Sequence, residues 1–241
     1  FDWYDASTWR AAIDGTTSAY VTFQPDLAVP GAADIVQSFC DLALSVGLKK
    51  VVLLSGRGEA GAEQAEQVLI QSGLEWNVVR ASWFAQNFSE GFMLDGIVSG
   101  ELVLPESKVL EPFIDVDDIA DVAVATLTQK SLKNRVFEVT GPRLMSFADC
   151  IDEISNAIGR PILLKPVSVD QYISYLEVQG LPEGVQWLMR ELFTVVFDGR
   201  NANVENGVFD ALGRQATDFS VYVNKTLDSG IWDVAQQVAN H

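Results

Sequence analysis

Val51-Val-Leu-Leu-Ser-Gly-Arg-Gly-Glu-Ala-Gly61 is the stretch that decides the fold. Four apolar residues with no polar alternation fit a strand covered on both faces, and therefore a parallel sheet flanked by helices. Ser55 and the glycines turn the chain outward, and a helical pattern follows. Strand, turn and helix in that order make the building unit of an α/β domain.

Outward from this centre, similar apolar runs lie from Ala19 to Phe23 and from Trp76 to Arg80. They stand about 30 residues apart, the length of one βαβ unit. Before Val51, Pro30 is placed to start a helix, Ile35, Phe39, Leu42 and Val46 recur at helical spacing, and Gly47 can end it. A short helix from Ser7 to Ile13 leads into the first visible strand. The pattern opens in the middle of a unit at Phe1, so further strands are expected upstream of it.

Beyond Gly100 the reading gives short strands from Leu102 to Leu104 and from Pro112 to Ile114, a helix from Val116 to Leu127, and a strand from Val136 to Val139 that closes the sheet. After Gly141 the pattern is mostly helical, from Phe147 to Ile158, Val169 to Val178 and Val185 to Phe197. The expected fold class is α/β: a doubly wound parallel sheet, N-terminally incomplete, over residues 1–141, and a smaller, mostly helical domain over residues 142–241.

Composition narrows the partners. The 241 residues carry 33 acidic and 16 basic side chains, a formal charge of −17. That balance opposes direct binding to nucleic acid or to anionic lipid. No run approaches the roughly 20 apolar residues of a spanning helix, and no signal-like segment opens the chain. A small-molecule substrate and a cytoplasmic location are expected; a homodimer or a regulatory protein partner stays open. Cys40 and Cys150 fall in separate helical patterns, which fits two buried thiols rather than a disulfide.

In open α/β sheets ligands bind beyond the carboxyl ends of the strands. The segments to search are therefore Phe23-Gln24-Pro25, Ser55-Gly56-Arg57 and Ala81-Ser82-Trp83-Phe84. Residues 56–61 satisfy G-x-G-x-x-G directly after a strand and before a helix, the pattern that lets amides approach a diphosphate. The acid expected about 20 residues later is not in place, because the next strand ends in Arg80. Past Arg80, Trp83, Phe84 and Phe88 with Ser82 and Asn87 make a candidate lid over a flat ring, or a packing surface.

Several stretches together resemble the NmrA-like branch of the atypical short-chain dehydrogenase/reductases. They are Val51 to Glu59, Ser72-Gly-Leu-Glu-Trp-Asn-Val-Val-Arg-Ala-Ser-Trp-Phe-Ala-Gln-Asn-Phe88, Asp115-Val-Asp-Asp-Ile-Ala-Asp-Val-Ala123, Thr140-Gly-Pro-Arg143 and Gly207-Val-Phe-Asp-Ala-Leu-Gly-Arg214. The resemblance implies a Rossmann-type sheet holding NADP or NAD, closed over the nicotinamide by the small domain. It places the glycine-rich segment after the family's fifth strand, so the G-x-G-x-x-G match is fortuitous. The family's phosphate loop and its dinucleotide-selecting strand, about 50 residues' worth, have no counterpart in this chain.

The implied cofactor contacts are Phe23, Gln24, Pro25, Ser55, Gly56, Arg57, Ala81, Ser82, Trp83 and Phe84; the implied substrate contacts are Trp83, Asn87 and Phe88. No catalytic residue is assigned. The family's usual Tyr-x-x-x-Lys, in which Lys tunes the phenol as an acid, is missing: none of the five tyrosines has Lys four residues later. The corresponding helix reads Ala62-Glu-Gln-Ala-Glu66, and only Ser55 survives from the catalytic set. Alcohol dehydrogenation is thus unexpected. Hydride delivery to a quinone, azo or similar acceptor asks less of a protein acid. A dinucleotide-sensing regulator and a shortened relative that binds no dinucleotide are the alternatives.

Other clusters have plainer readings. His241 is the only histidine and stands at the last position, which leaves no His-based triad or metal site. Asp115, Asp117, Asp118 and Asp121 suit a helix N-terminus better than a cation. Ser146 and Asp149 imitate a capping box. Trp187, Leu188, Phe193 and Phe197 read as core or as a dimer face.

Overall fold

A computed structural model describes residues 1–233; His241 lies outside them. Four parallel strands form one sheet in the order β1-β2-β3-β5: β1 (Ser18–Val21), β2 (Lys50–Gly56), β3 (Glu75–Ala81) and β5 (Arg135–Val139). Strands β4 (Glu101–Pro105) and β6 (Leu163–Val167) make a separate parallel pair. The sheet with its flanking helices is the Rossmann-type arrangement.

Two compact units share the chain. The first contains residues Phe1–Ala81, Asp117–Val139 and Asn206–Gln215. Its sheet carries α1 (Trp9–Ile13), α2 (Ala32–Val46), α3 (Ala60–Gln71), most of α5 (Val116–Thr128) and α9 (Gly207–Leu212). Val51 and Leu53 of β2 join Val36, Phe39 and Ala43 of α2 and Leu69 of α3 in one core. The uninterrupted apolar run demanded such cover, and Val52 and Leu53 have no exposed surface.

The second unit holds Ser82–Val116, Thr140–Glu205 and the residues from Ala216 on. Its helices are α4 (Leu94–Ser99), α6 (Phe147–Ile158), α7 (Val169–Val178), α8 (Glu183–Glu191) and α10 (Phe219–Ser229). The chain therefore crosses between units at Ala81, Asp117, Val139 and again near Asn206, where sequence reading placed one boundary at residue 141. The physical reason is packing: the aromatic residues just past β3 join the core of the second unit.

The expected helices of residues 147–158 and 169–178 have those bounds, each opened by a capping box, Ser146 with Asp149 and Ser168 with Gln171. Residues 112–114 form no strand; isolated bridges tie Phe84 to Ile114 and Glu111 to Met145. Pro112 has no N–H to give a ladder. The helix expected up to Phe197 ends at Glu191 and continues as a π turn, Leu192–Val196, where Phe193, Thr194, Val195 and Val196 crowd the backbone.

Cys40 and Cys150 are free and buried. Burial pushes the Cys40 thiol up to about 11 and raises that of Cys150 as well. Among the described residues no helix is long and apolar enough to cross a membrane.

Candidate functional site

The carboxyl ends of β1, β2 and β3 are where an open sheet binds ligands, and β2 ends in a set of buried charges. Ser55 Oγ donates to Glu66 Oε1 at 2.6 Å. Glu66 lies on α3 with no exposed surface. Arg80 of β3 donates through Nε to the same Oε1 at 2.9 Å and through Nη2 to Oε2. Its Nη1 reaches Glu138 of β5 at 2.7 Å, and Glu138 also meets Arg57 at 3.3 Å. Two carboxylates and two guanidinium groups thus neutralise each other across three strands and one helix. A buried acid is retained at this depth only with such partners.

The G-x-G-x-x-G turn is shaped by other needs than a diphosphate. A Cβ at Gly56 would collide with the carboxylate of Glu59, which is folded back over that backbone and is 9% exposed. At Gly61 a Cβ would strike the carbonyl of Ala28, so glycine there lets α3 pack against the loop after β1. An acid fills the cradle that an anion would need, and this turn does not fit a diphosphate.

A second acid faces Glu59. Asp26, in the loop after β1, accepts from the Ala28 amide at 2.7 Å and is hydrogen-bonded to the Glu59 side chain. Burial raises the Asp26 carboxyl above the ordinary carboxylate value, against the lowering effect of those two bonds. Two carboxyl groups that share a hydrogen bond hold a proton between them.

The sequence-predicted cofactor contacts divide by burial. Gln24 and Pro25 are exposed, and Gly56 and Phe84 are half-buried. Phe23, Ser55, Arg57, Ala81, Ser82 and Trp83 are buried. Ser82, directly after β3, donates to the Pro112 carbonyl at 2.6 Å. The residues with surface to offer a flat nicotinamide are Gln24, Pro25, Gly56 and Phe84; this part of the set fits such a ring.

Of the substrate contacts, Asn87 is half-buried. Phe88 requires correction: it has no exposed surface, packs edge-on to Phe113 and Phe219 with centroids 5.5 Å away, and its carbonyl accepts from Trp232 Nε1 at 2.9 Å. Trp83 likewise sits 5.4 Å from each of Phe147, Phe193 and Phe197. Their rings serve the core of the second unit, because its other aromatic side chains enclose them.

The acidic cluster on α5 is paired. Arg214 donates to Asp118 and to Asp121, each at 2.6 Å, and Asp115 accepts from Gln86 at 2.7 Å. Sequence reasoning missed Glu66, Asp26 and Glu59. Glu66 had a readable signal, since it takes an apolar position between Ala62, Ala65 and Leu69 on the buried face of α3.

Fold and strand ends together define a Rossmann-type protein with its ligand side at the end of β2. No family model matches the chain. Prestalk A differentiation protein A of Dictyostelium discoideum is 26% identical over 231 residues, covering 95% of this chain and 76% of the relative. An NAD(P)H azoreductase of Xenophilus azovorans is 27% identical over 232 residues, covering 92% and 79%. Among solved structures, an NADPH-dependent quinone oxidoreductase of Escherichia coli, complexed with NADPH, superimposes with a TM-score of 0.78 at 15% identity, over 94% of this chain and 82% of that one. The chain belongs to the NmrA-like branch of the atypical short-chain dehydrogenase/reductases.

Proposed function

We propose that this protein is an NAD(P)H-dependent oxidoreductase that reduces a quinone, an azo compound or a similar small acceptor. The observation that carries the reading is the match to an azoreductase along 92% of the chain, with the sheet's carboxyl ends as the ligand side. In it, the exposed Gln24 and Pro25 and the backbone at Gly56 receive the nicotinamide end, Phe84 offers a ring face, and Asn87 orients the acceptor. The dinucleotide supplies hydride when bound.

The chain's own residues hold protons inward rather than deliver them. Ser55 gives its proton to Glu66, and Asp26 and Glu59 share theirs. Tyr-x-x-x-Lys is absent. Water is therefore the proton source for the reduced acceptor, which suits quinones better than carbonyl compounds. The test is consumption of NADPH or NADH by the purified protein with menadione or an azo dye. Saturable, acceptor-dependent oxidation is expected. Dinucleotide binding without turnover on any acceptor would instead favour the sensing role, a reading supported by the similarity to a differentiation protein.

A further inference from the structure

Three of the four strands of the sheet end in a buried hydroxyl, and each is turned away from solvent. Ser55 donates to Glu66 at 2.6 Å, Ser82 to the Pro112 carbonyl at 2.6 Å, and Thr140, the residue after β5, to the Gly141 carbonyl at 3.0 Å. A hydroxyl has one proton and two lone pairs. Once the proton is committed, what remains is an acceptor.

Ser55 is the most firmly set of the three, because its partner is an ion rather than a carbonyl. Glu66 cannot turn: Arg80 holds both of its oxygens, and Arg80 is itself anchored by Glu138. A charge-assisted bond of this kind is about twice as strong as a neutral one. Rotating the Ser55 proton outward would leave a fully buried carboxylate short of a donor, a costly state in low dielectric.

We propose that Glu66 is a positioning residue that fixes Ser55 as a hydrogen-bond acceptor at the end of β2, so that the ligand group it recognises is a donor, the carboxamide amino group of the nicotinamide. This rests on the oxidoreductase reading and deepens it. The role is opposite to that of a serine that donates to a substrate oxygen, and it leaves the acceptor without help from Ser55. Arg80 supports the arrangement from a distance by holding Glu66.

The experiment compares equilibrium binding of NADPH with that of its reduced 3-acetylpyridine analogue, in which a methyl replaces the amino group while the carbonyl is kept. Wild type is expected to prefer NADPH by about tenfold, the size of one polar pairing. Ser55→Ala should bring the two ligands within about twofold, Ser55→Thr should keep the preference, and Glu66→Gln, which frees the hydroxyl to turn, should reduce it. Ser55→Ala leaves the Glu66 and Arg80 pair in place, so it reads the hydroxyl without removing the ion pair. Equal binding of both ligands by wild type, or an unchanged preference in Ser55→Ala, would overturn the proposal alone. Absence of saturable binding of either ligand by wild type would overturn the oxidoreductase reading as well.

Discussion

The two units hold their centres together by different means. In the first, the sheet's carboxyl ends are knitted by Glu66, Arg80, Glu138 and Arg57, with the Asp26 and Glu59 pair alongside. In the second, Trp83, Phe88, Phe113, Phe147, Phe193, Phe197 and Phe219 stack edge to face around one apolar core. The contrast runs through a single stretch, since Arg80 belongs to the ionic set and Trp83, three residues on, to the aromatic one. Ring packing tolerates loss only by leaving a cavity, whereas an ionic set fails when one member is removed and another stays buried. The ligand side of the sheet thus depends on charge balance, and the second unit on volume.

Substitutions can break this comparison at either end. The largest loss is expected in the aromatic core: Phe88→Ala removes a ring with no exposed surface and should cost about 4 kcal/mol in denaturant unfolding. Glu66→Ala comes next, at about 3 kcal/mol, because Ser55 and Arg80 lose their shared partner inside the protein. If Glu66→Ala proves as mild as an exposed ion-pair deletion, the ionic account of the first unit is wrong.

A smaller effect should follow from crowding. Gly61→Ala drives a methyl group into the Ala28 carbonyl and is expected to cost about 2 kcal/mol, read from the shift in the unfolding midpoint. The smallest change has the opposite sign. Burial raises the Asp26 carboxyl, so the folded state binds that proton more tightly than the unfolded chain does. Stability should therefore be complete below the ordinary carboxylate value of about 3.9 and decline as pH rises toward the raised one. Asp26→Asn gives Glu59 a donor that needs no proton, and should gain about 1 kcal/mol near neutral pH with little change in acid. Thermal unfolding of both proteins across the pH range checks the sign.

Legibility in the sequence followed the same divide. Helices 147–158 and 169–178 could be read to the residue because Ser146 and Ser168 cap them and apolar residues recur along one face. The strands of the sheet were legible because double burial leaves unbroken apolar runs. Strand β6 was hidden by Lys165 and Pro166, which interrupt any β pattern; its pairing to β4 alone makes them tolerable. In the candidate site, the strand ends were located by topology, but not which side chains face a ligand. Trp83 and Phe88 carry the same residue types whether they cover a ring or fill a core, and only their neighbours decide. Glu66 was passed over because Ala62-Glu-Gln-Ala-Glu66 was read for a missing tyrosine and lysine, when its buried glutamate was the informative residue.

The central claim is that the carboxyl ends of β1, β2 and β3 receive the nicotinamide end of a dinucleotide. Amide chemical shifts recorded by NMR during a titration with NADPH test it most directly. The account predicts saturable shifts at Gln24, at Ser55 to Arg57 and at Ala81 to Phe84. Saturation with those amides unmoved, or no saturable response anywhere, would contradict it.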